Sequence, residues 1–498
     1  MIAADPDRVR SVSIGLPVDR FPVTRELATI AADPSRGTGE RDALLGALLV
    51  DTVACSLAAR RAATGVDGVV AALAVHRDGA SEPLPLLVGP ITGHDPYRSA
   101  FFNGAVAHAL NFDAYGISRG PAGTVVVPAA LAVATPLTTG ANLLRAMEVG
   151  VEIGNRLGAA ATSAPHAAPG AGALSMSSGG IEGQILGTFA AAATAGSVLG
   201  LGVDEMHSAF GLALMQAAGS AQVMIDGDVP AKGFYGGFAT AAGVTAALAA
   251  RAGIDARCAA IEGQAGLIAR FFPGGDPRRS LDRPGRQPAD DIVFKRWPCS
   301  SVVGPSIAAA VDLHASVPVT AVRRVVVAVP AASRPWCEPA AERRHPSNSA
   351  AATNSIPYAV AVGIAEGDFA PWHVGPRPAV HLRTSDLAGK VECAFTQDER
   401  TVSVTLQDGT TISARPPASV HLDSSDVPEK LRRIARWVDT EDAVEGLLLA
   451  TGALVDLPDL RSLAEALRRL APASEHTARE PLPSLSVPVF PHPQGATS

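Results

Sequence analysis

Two of the four lysines of this 498-residue chain sit in segments built like enzyme sites: Lys232 in Ala-Lys-Gly-Phe-Tyr-Gly-Gly-Phe-Ala and Lys295 in Phe-Lys-Arg-Trp-Pro-Cys. An ammonium can hold a substrate carboxylate through charge-assisted hydrogen bonds or stabilise an enolate oxygen as its charge develops. If burial lowers its pKa, it can also exchange a proton at carbon or form an imine with a carbonyl. The competing structural readings are an exposed loop for Lys232 and, because Arg296 adjoins it, a solvated domain edge for Lys295. Tyr115 and Tyr235 are two of only four tyrosines. A phenol can donate to an oxyanion or act as an acid, but with an ordinary pKa of about 10 it is a poor base, and aromatic packing is its alternative use.

The other chemically interesting residues read less sharply. His108 has apolar company and reads as a helix-packing histidine. Cys299 follows Pro298 without a histidine placed beside it in sequence, so a buried structural thiol is expected. The 12 histidines contain no His-Glu-x-x-His spacing, and the five cysteines are scattered without zinc-module or disulfide-module spacing. Gly170 to Gly183 is glycine-rich but lacks both the dinucleotide fingerprint and the phosphate-loop lysine. The residues therefore imply chemistry without metal or organic cofactor.

These side chains must be positioned by helices. From Pro22 to about Arg270 the pattern is nearly strand-free, with helices expected at Asp42 to Ala59, Ala105 to Asn111, Val127 to Thr135, Leu143 to Leu157, Ile185 to Leu199, Asp204 to Ala217 and Gly237 to Ala250. Pro128 is placed near the start of its helix, where proline is tolerated. The long connections Tyr115 to Val126, Thr162 to Gly180 and Gln222 to Gly236 are of a length that is usually functional. Pro273 to Asp290 reads as a surface crossing into a second domain. There, Val319 to Val329, Lys390 to Phe395 and Thr401 to Leu406 are expected strands, the last leading into an Asp408-Gly409 turn, with helices at Pro305 to His314 and Ser355 to Glu366. Helices at Pro428 to Val438, Asp442 to Thr451 and Leu460 to Leu470 return to the first domain. The expected boundaries are a large helical domain over 1–272, a small α/β domain over 291–416, returning helices over 417–472 and a disordered tail over 473–498.

Composition bounds the partners. The net charge is −7 with no basic stripe, which disfavours nucleic acid and membrane surfaces. The N-terminus carries Asp5, Asp7 and Arg8 before any apolar run, unlike a secretion signal, and a cytoplasmic location is expected. The apolar segments Phe238 to Ala250 and Ile181 to Leu201, rich in Ala, Gly and Thr, read as buried helices rather than spans.

Four motifs in order carry a resemblance: Asn103-Gly-Ala-Val-Ala-His-Ala-Leu-Asn-Phe-Asp113, the Lys232 segment, Phe294-Lys-Arg-Trp-Pro-Cys299 and Ser355-Ile-Pro-Tyr-Ala-Val-Ala361. Together they resemble the MmgE/PrpD family of 2-methylcitrate dehydratases, cis-aconitate decarboxylases and iminodisuccinate epimerases, over roughly residues 25 to 455. The resemblance implies a mainly α protein in two parts: a large helical domain formed by both chain ends and a smaller α/β domain. It also implies a homodimer, a small-molecule substrate and no cofactor. The family's Asp-Phe-Asp-Asp-Thr falls on Asn111, Phe112, Asp113, Ala114 and Tyr115, and its loop histidine falls on Pro121, or on Gly120 if one residue is inserted. Its Gly-Trp/Phe-His-x-Thr falls on Gly179, Gly180, Ile181, Glu182 and Gly183, so that its histidine is replaced by Ile181, next to Glu182. Tyr235 stands where the lysine motif has histidine, and Ser301 and Gly304 stand where the later Arg and His are expected.

What remains is a cationic site. Lys232, Lys295, Tyr235, Tyr115 and Glu182 are the candidate catalytic residues, and Asn111, Asp113 and Ser301 the candidate substrate contacts. Each has a local alternative: a helix-start charge for Glu182, a loop or helix-end hydrogen bond for Asp113 and Asn111, and a turn for Ser301. The leading expectation is a cofactor-independent lyase acting on a carboxylate or carbonyl compound. The alternatives are an isomerase or cyclase of a biosynthetic intermediate, or a degenerate ligand-binding or partner protein; the missing histidines argue against 2-methylcitrate dehydration itself.

Overall fold

A computed structural model describes residues 22–35, 41–74, 95–116, 122–135, 137–161, 179–225, 229–282, 292–375 and 382–470. Gly120, Pro121, positions 162–178, positions 283–291 and the tail from 471 onward lie outside the described residues.

The protein is mainly helical with an α/β region. Helices Asp42–Ala62, Pro96–His108, Gly123–Val133, Gly140–Ala161, Glu182–Leu199, Val203–Gln216 and Tyr235–Arg251 pack on one another around a continuous apolar core. Small residues let their backbones approach. A Cβ on Gly104 would lie 2.6 Å from the carbonyl oxygen of Gly236, and one on Gly236 would lie 2.5 Å from that of Gly104. Only glycine fits this crossing of Pro96–His108 with Tyr235–Arg251. The helix expected to begin near Pro128 begins at Gly123 and runs through it. Tertiary packing overrides the local penalty there, since every residue of that helix is buried.

Among the described residues two helices, Asp42–Ala62 and Pro230–Arg251 with its 3₁₀ first turn, are long and apolar enough to cross a membrane by length and composition, and both are mostly buried within the molecule. Asp42–Ala62 also holds Asp51, which is fully buried and ion-paired.

Among the described residues seven strands form two sheets. β1 (Tyr115–Gly116), β2 (Ile292–Lys295) and β7 (His421–Leu422) make a short antiparallel ribbon that carries Tyr115 and Lys295. β3 (Val322–Pro330), β4 (Val391–Thr396), β5 (Thr401–Leu406) and β6 (Thr411–Ala414) form a sheet in the order β4-β3-β5-β6. β3 pairs parallel with β4 and antiparallel with β5. Alternation in β5 buries Val402, Val404 and Leu406 on the face that meets the helix Gly304–Leu313, and the helix Ile356–Glu366 packs on β4. Gly409 turns β5 into β6 at φ 89°, and Asp408 accepts a hydrogen bond from the Thr410 amide at 2.8 Å.

Beyond the sheet the chain returns to the helical body. Val427, Leu431 and Ile434 of the helix Val427–Trp437 are buried, and this helix packs along Asp42–Ala62. Burial of a side chain such as Leu431 contributes about 1.5–3 kcal/mol.

Candidate active site

The helix Pro96–His108 ends where Asn111 adopts a left-handed conformation at φ 52°, with its amide bonded to the His108 carbonyl at 2.7 Å. Asparagine tolerates this backbone better than most residues. The reversal brings Asp113 back onto the end of its own helix, where the His108 Nδ1–H donates to Asp113 Oδ1 at 2.8 Å. Both side chains are buried, and His108 Nε2 has no hydrogen-bond partner.

The electrostatics follow from that geometry. Burial raises the Asp113 carboxyl, but His108 and the nearby Lys295 ammonium outweigh it and hold it at about 2. Burial lowers the His108 imidazole; Asp113 opposes that shift, while Lys232 and Lys295 reinforce it. The ionised Asp113 can only accept, so it fixes the proton on Nδ1 and leaves a basic lone pair on Nε2. The Tyr235 ring lies against the imidazole, with centroids 4.1 Å apart.

Lys295, the last residue of β2, is 9 % exposed and donates to both the backbone oxygen of Asn111 at 2.8 Å and its Oδ1 at 2.7 Å. Asn111, expected to contact substrate, thus has its side-chain oxygen committed to Lys295, and Asp113 has its carboxylate on His108. Two of the three N–H donors of Lys295 are engaged in this way. Lys232 is 7 % exposed in the turn Pro230–Phe234, which packs on Pro96–His108. It is not in an open loop.

Tyr115 lies in β1 with the Lys295 ammonium 5.5 Å from its ring centre and His421 edge-on at 6.2 Å. Burial, reinforced by Cys299, pushes its phenol up to about 12, and a hydrogen bond with the Ser301 side chain opposes the shift. Ser301 therefore supports Tyr115. Burial, with Asp113 nearby, drives the Tyr235 phenol well above its usual range. Its hydroxyl abuts Gly183, where a Cβ would come within 2.6 Å. Glu182 is the half-buried first residue of Glu182–Leu199. Cys299 is buried, its thiol pushed up to about 12 by burial against the opposing charge of Lys295.

Three residues near this centre escape a reading of local sequence. His108 reads as packing until Asn111 turns the chain. His421 of β7 pairs with Lys295, and burial and the Lys295 charge lower its imidazole. Lys430, from the C-terminal helix, donates to Asp51 Oδ1 at 2.7 Å, the Phe112 carbonyl at 3.0 Å and the Lys295 carbonyl at 3.2 Å. Among the described residues there is no group of three or more His, Cys, Asp or Glu side chains placed to hold a metal ion.

This arrangement has relatives. The chain is 26 % identical over 461 residues to a cis-aconitate decarboxylase of Aspergillus terreus, covering 84 % of this chain and 90 % of that protein. It is 28 % identical over 286 residues to a cis-aconitate decarboxylase-like protein, oryM, of Aspergillus oryzae, covering 54 % of this chain and 53 % of that protein. Residues 42–280 match the MmgE/PrpD N-terminal domain and residues 297–450 the MmgE/PrpD C-terminal domain, so the chain belongs to the MmgE/PrpD family.

Proposed function

We propose that the protein is a cofactor-independent lyase acting on a small carboxylate, with His108 as the group that exchanges a proton with substrate carbon. The observation that carries this reading is the buried His108–Asp113 pair, whose outer nitrogen is unengaged beside two lysines. Asp113 orients the imidazole and compensates the imidazolium that forms on proton uptake, the logic of an acid-oriented histidine base. Lys232 and the remaining N–H of Lys295 supply positive charge for a substrate carboxylate and for the enolate formed from it.

Two lyase reactions fit. In a dehydration, His108 takes the proton next to the carboxylate, the electron pair moves into the enolate and then expels the leaving oxygen, which must be protonated. In a decarboxylation, the bond to the departing carboxylate breaks and carbon dioxide leaves, the electron pair stays on the substrate carbon, and His108, protonated from solvent, delivers a proton there. The names of the relatives favour decarboxylation. Tyr115, two residues after Asp113, and Glu182, next to the Gly183 that meets the Tyr235 hydroxyl, are the further proton donors in this reading.

An isomerase is the second reading, favoured by Tyr235. Its phenol is kept protonated by burial and by Asp113, so it does not serve as a second base; one imidazole that removes and returns the same proton needs none. The same proposal takes in a homodimer, a small-molecule substrate and a cytosolic setting, and the five free cysteines agree with a reducing compartment.

The test is incubation of the protein with cis-aconitate and a panel of small di- and tricarboxylates, followed by proton NMR. Consumption of one acid by the natural chain, with Lys232→Met and Lys295→Met each slowing it by about 100-fold or more, is the expected result. No consumption of any panel member, or turnover unchanged in both variants, counts against it and favours a ligand-binding protein on the same scaffold.

A further inference from the structure

We propose that Lys430 is a positioning residue of the candidate site, holding from the C-terminal helix the two backbone segments that present Asp113 and Lys295. Its ammonium is buried, and its three N–H donors match three oxygen acceptors: Asp51 Oδ1 at 2.7 Å, the Phe112 carbonyl at 3.0 Å and the Lys295 carbonyl at 3.2 Å. Phe112 directly precedes Asp113, and the Lys295 carbonyl belongs to the residue whose side chain grips Asn111. One cation thus joins both segments. It also sits 3.5 Å from the centre of the Phe112 ring and 3.5 Å from Cys55 Sγ.

The counter-charge reaches the same place. Asp51, on Asp42–Ala62, uses its second oxygen to accept from the Ala114 amide at 3.1 Å. The pair therefore brackets Asp113, with Lys430 on the carbonyl before it and Asp51 on the amide after it. Helix packing alone does not need this arrangement. Val427, Leu431 and Ile434 already bury the helix, and an apolar residue of the same length would fill the position of Lys430. What a buried charge pair adds is directional bonding to particular backbone atoms.

This inference takes its functional meaning from the proposed proton chemistry, but its test needs no substrate. The full-length natural chain and a Lys430→Met/Asp51→Asn double variant are reacted with acetic anhydride, and the acetylation rates of Lys295 and Lys232 are read by peptide mass spectrometry. Removing both charges avoids the unpaired buried carboxylate that Lys430→Met alone would leave and that would threaten folding. With the melting temperature recorded alongside, Lys295 should react several-fold faster in the double variant while Lys232, on a different element, keeps its rate. Equal acceleration of both lysines marks a general loosening and overturns the proposal, as does an unchanged Lys295. Where a substrate is available, the double variant should lower kcat more than it raises KM. Failure to find any substrate refutes the lyase reading and leaves the labelling result standing on its own.

Discussion

At the scale of single residues, the site is defined by what each polar atom is already bonded to. Asp113 is consumed by His108 and the Asn111 oxygen by Lys295, while the imidazole Nε2 has no partner and is the atom that meets substrate in the proposed reaction. The pH dependence follows from the sign of the His108 shift. Its folded pKa lies below the ordinary value of about 6.5. Between the folded and unfolded values the unfolded chain binds the extra proton, so this contribution to stability is present above about pH 6.5 and is lost as pH falls through the folded value. Asp113 acts in the same direction at lower pH, its contribution disappearing as pH falls from about 4 toward about 2. In catalysis the acid limb of the rate profile should lie below the usual imidazole range, and His108 in a Lys295→Met variant should titrate higher than in the natural chain. Tyr235→Phe keeps the ring on His108 and removes a hydroxyl that, held protonated, is no second base, and turnover within a few-fold of the natural chain is expected if the ring's packing is its role. A loss of about 100-fold with unchanged melting temperature would instead make that phenol a proton donor. Lysine and tyrosine candidates could be named from sequence because their flanking glycines and prolines are local; the dyad could not, since it depends on a left-handed Asn111 that turns Asp113 back five positions onto the helix it has just left. An asparagine just past a helix, followed by an acid, is the signal that was present.

Elements determine whether those residues meet. The long helices were legible because their apolar periodicity extends over several turns, and the β5–β6 turn because Asp408-Gly409 satisfies a specific backbone demand. Short elements such as Val66–Ala74, Ala340–Arg344 and Leu382–Gly389 were not, since one or two turns carry too little pattern to separate from loop. The start of Gly123–Val133 was missed because Pro128 looked like a first-turn residue, whereas the helix is held by burial on all sides. Close helix approach provides an element-level prediction. Gly104→Ala places a methyl 2.6 Å from the Gly236 carbonyl oxygen and should cost about 1–3 kcal/mol, measurable as a lower urea midpoint with an unchanged slope. Full stability would show that the crossing of Pro96–His108 with Tyr235–Arg251 is looser than described. The same substitution should also weaken turnover, because it displaces the helix that ends in His108.

For the whole molecule, the sequence pattern pointed to a chain that leaves its helical body, builds a small sheet and comes back, and the helix Val427–Trp437 does pack along Asp42–Ala62. What pattern could not convey is why the return matters. Lys430 and Asp51 are 379 positions apart, and no local signal links a lysine on an amphipathic helix to an aspartate within an apolar one. The proposed homodimer belongs to this scale: light scattering should give a mass near twice the chain's 50.7 kDa at micromolar concentration, and a concentration-independent monomer would remove that part of the proposal. The central claim is proton exchange by the His108–Asp113 pair, and solvent deuterium incorporation into the carboxylate substrate tests it most directly. In heavy water the natural chain should place deuterium at one substrate or product carbon, and His108→Gln should slow this by about 100-fold or more while retaining its melting temperature. Undiminished deuterium incorporation by a folded His108→Gln protein would contradict the account.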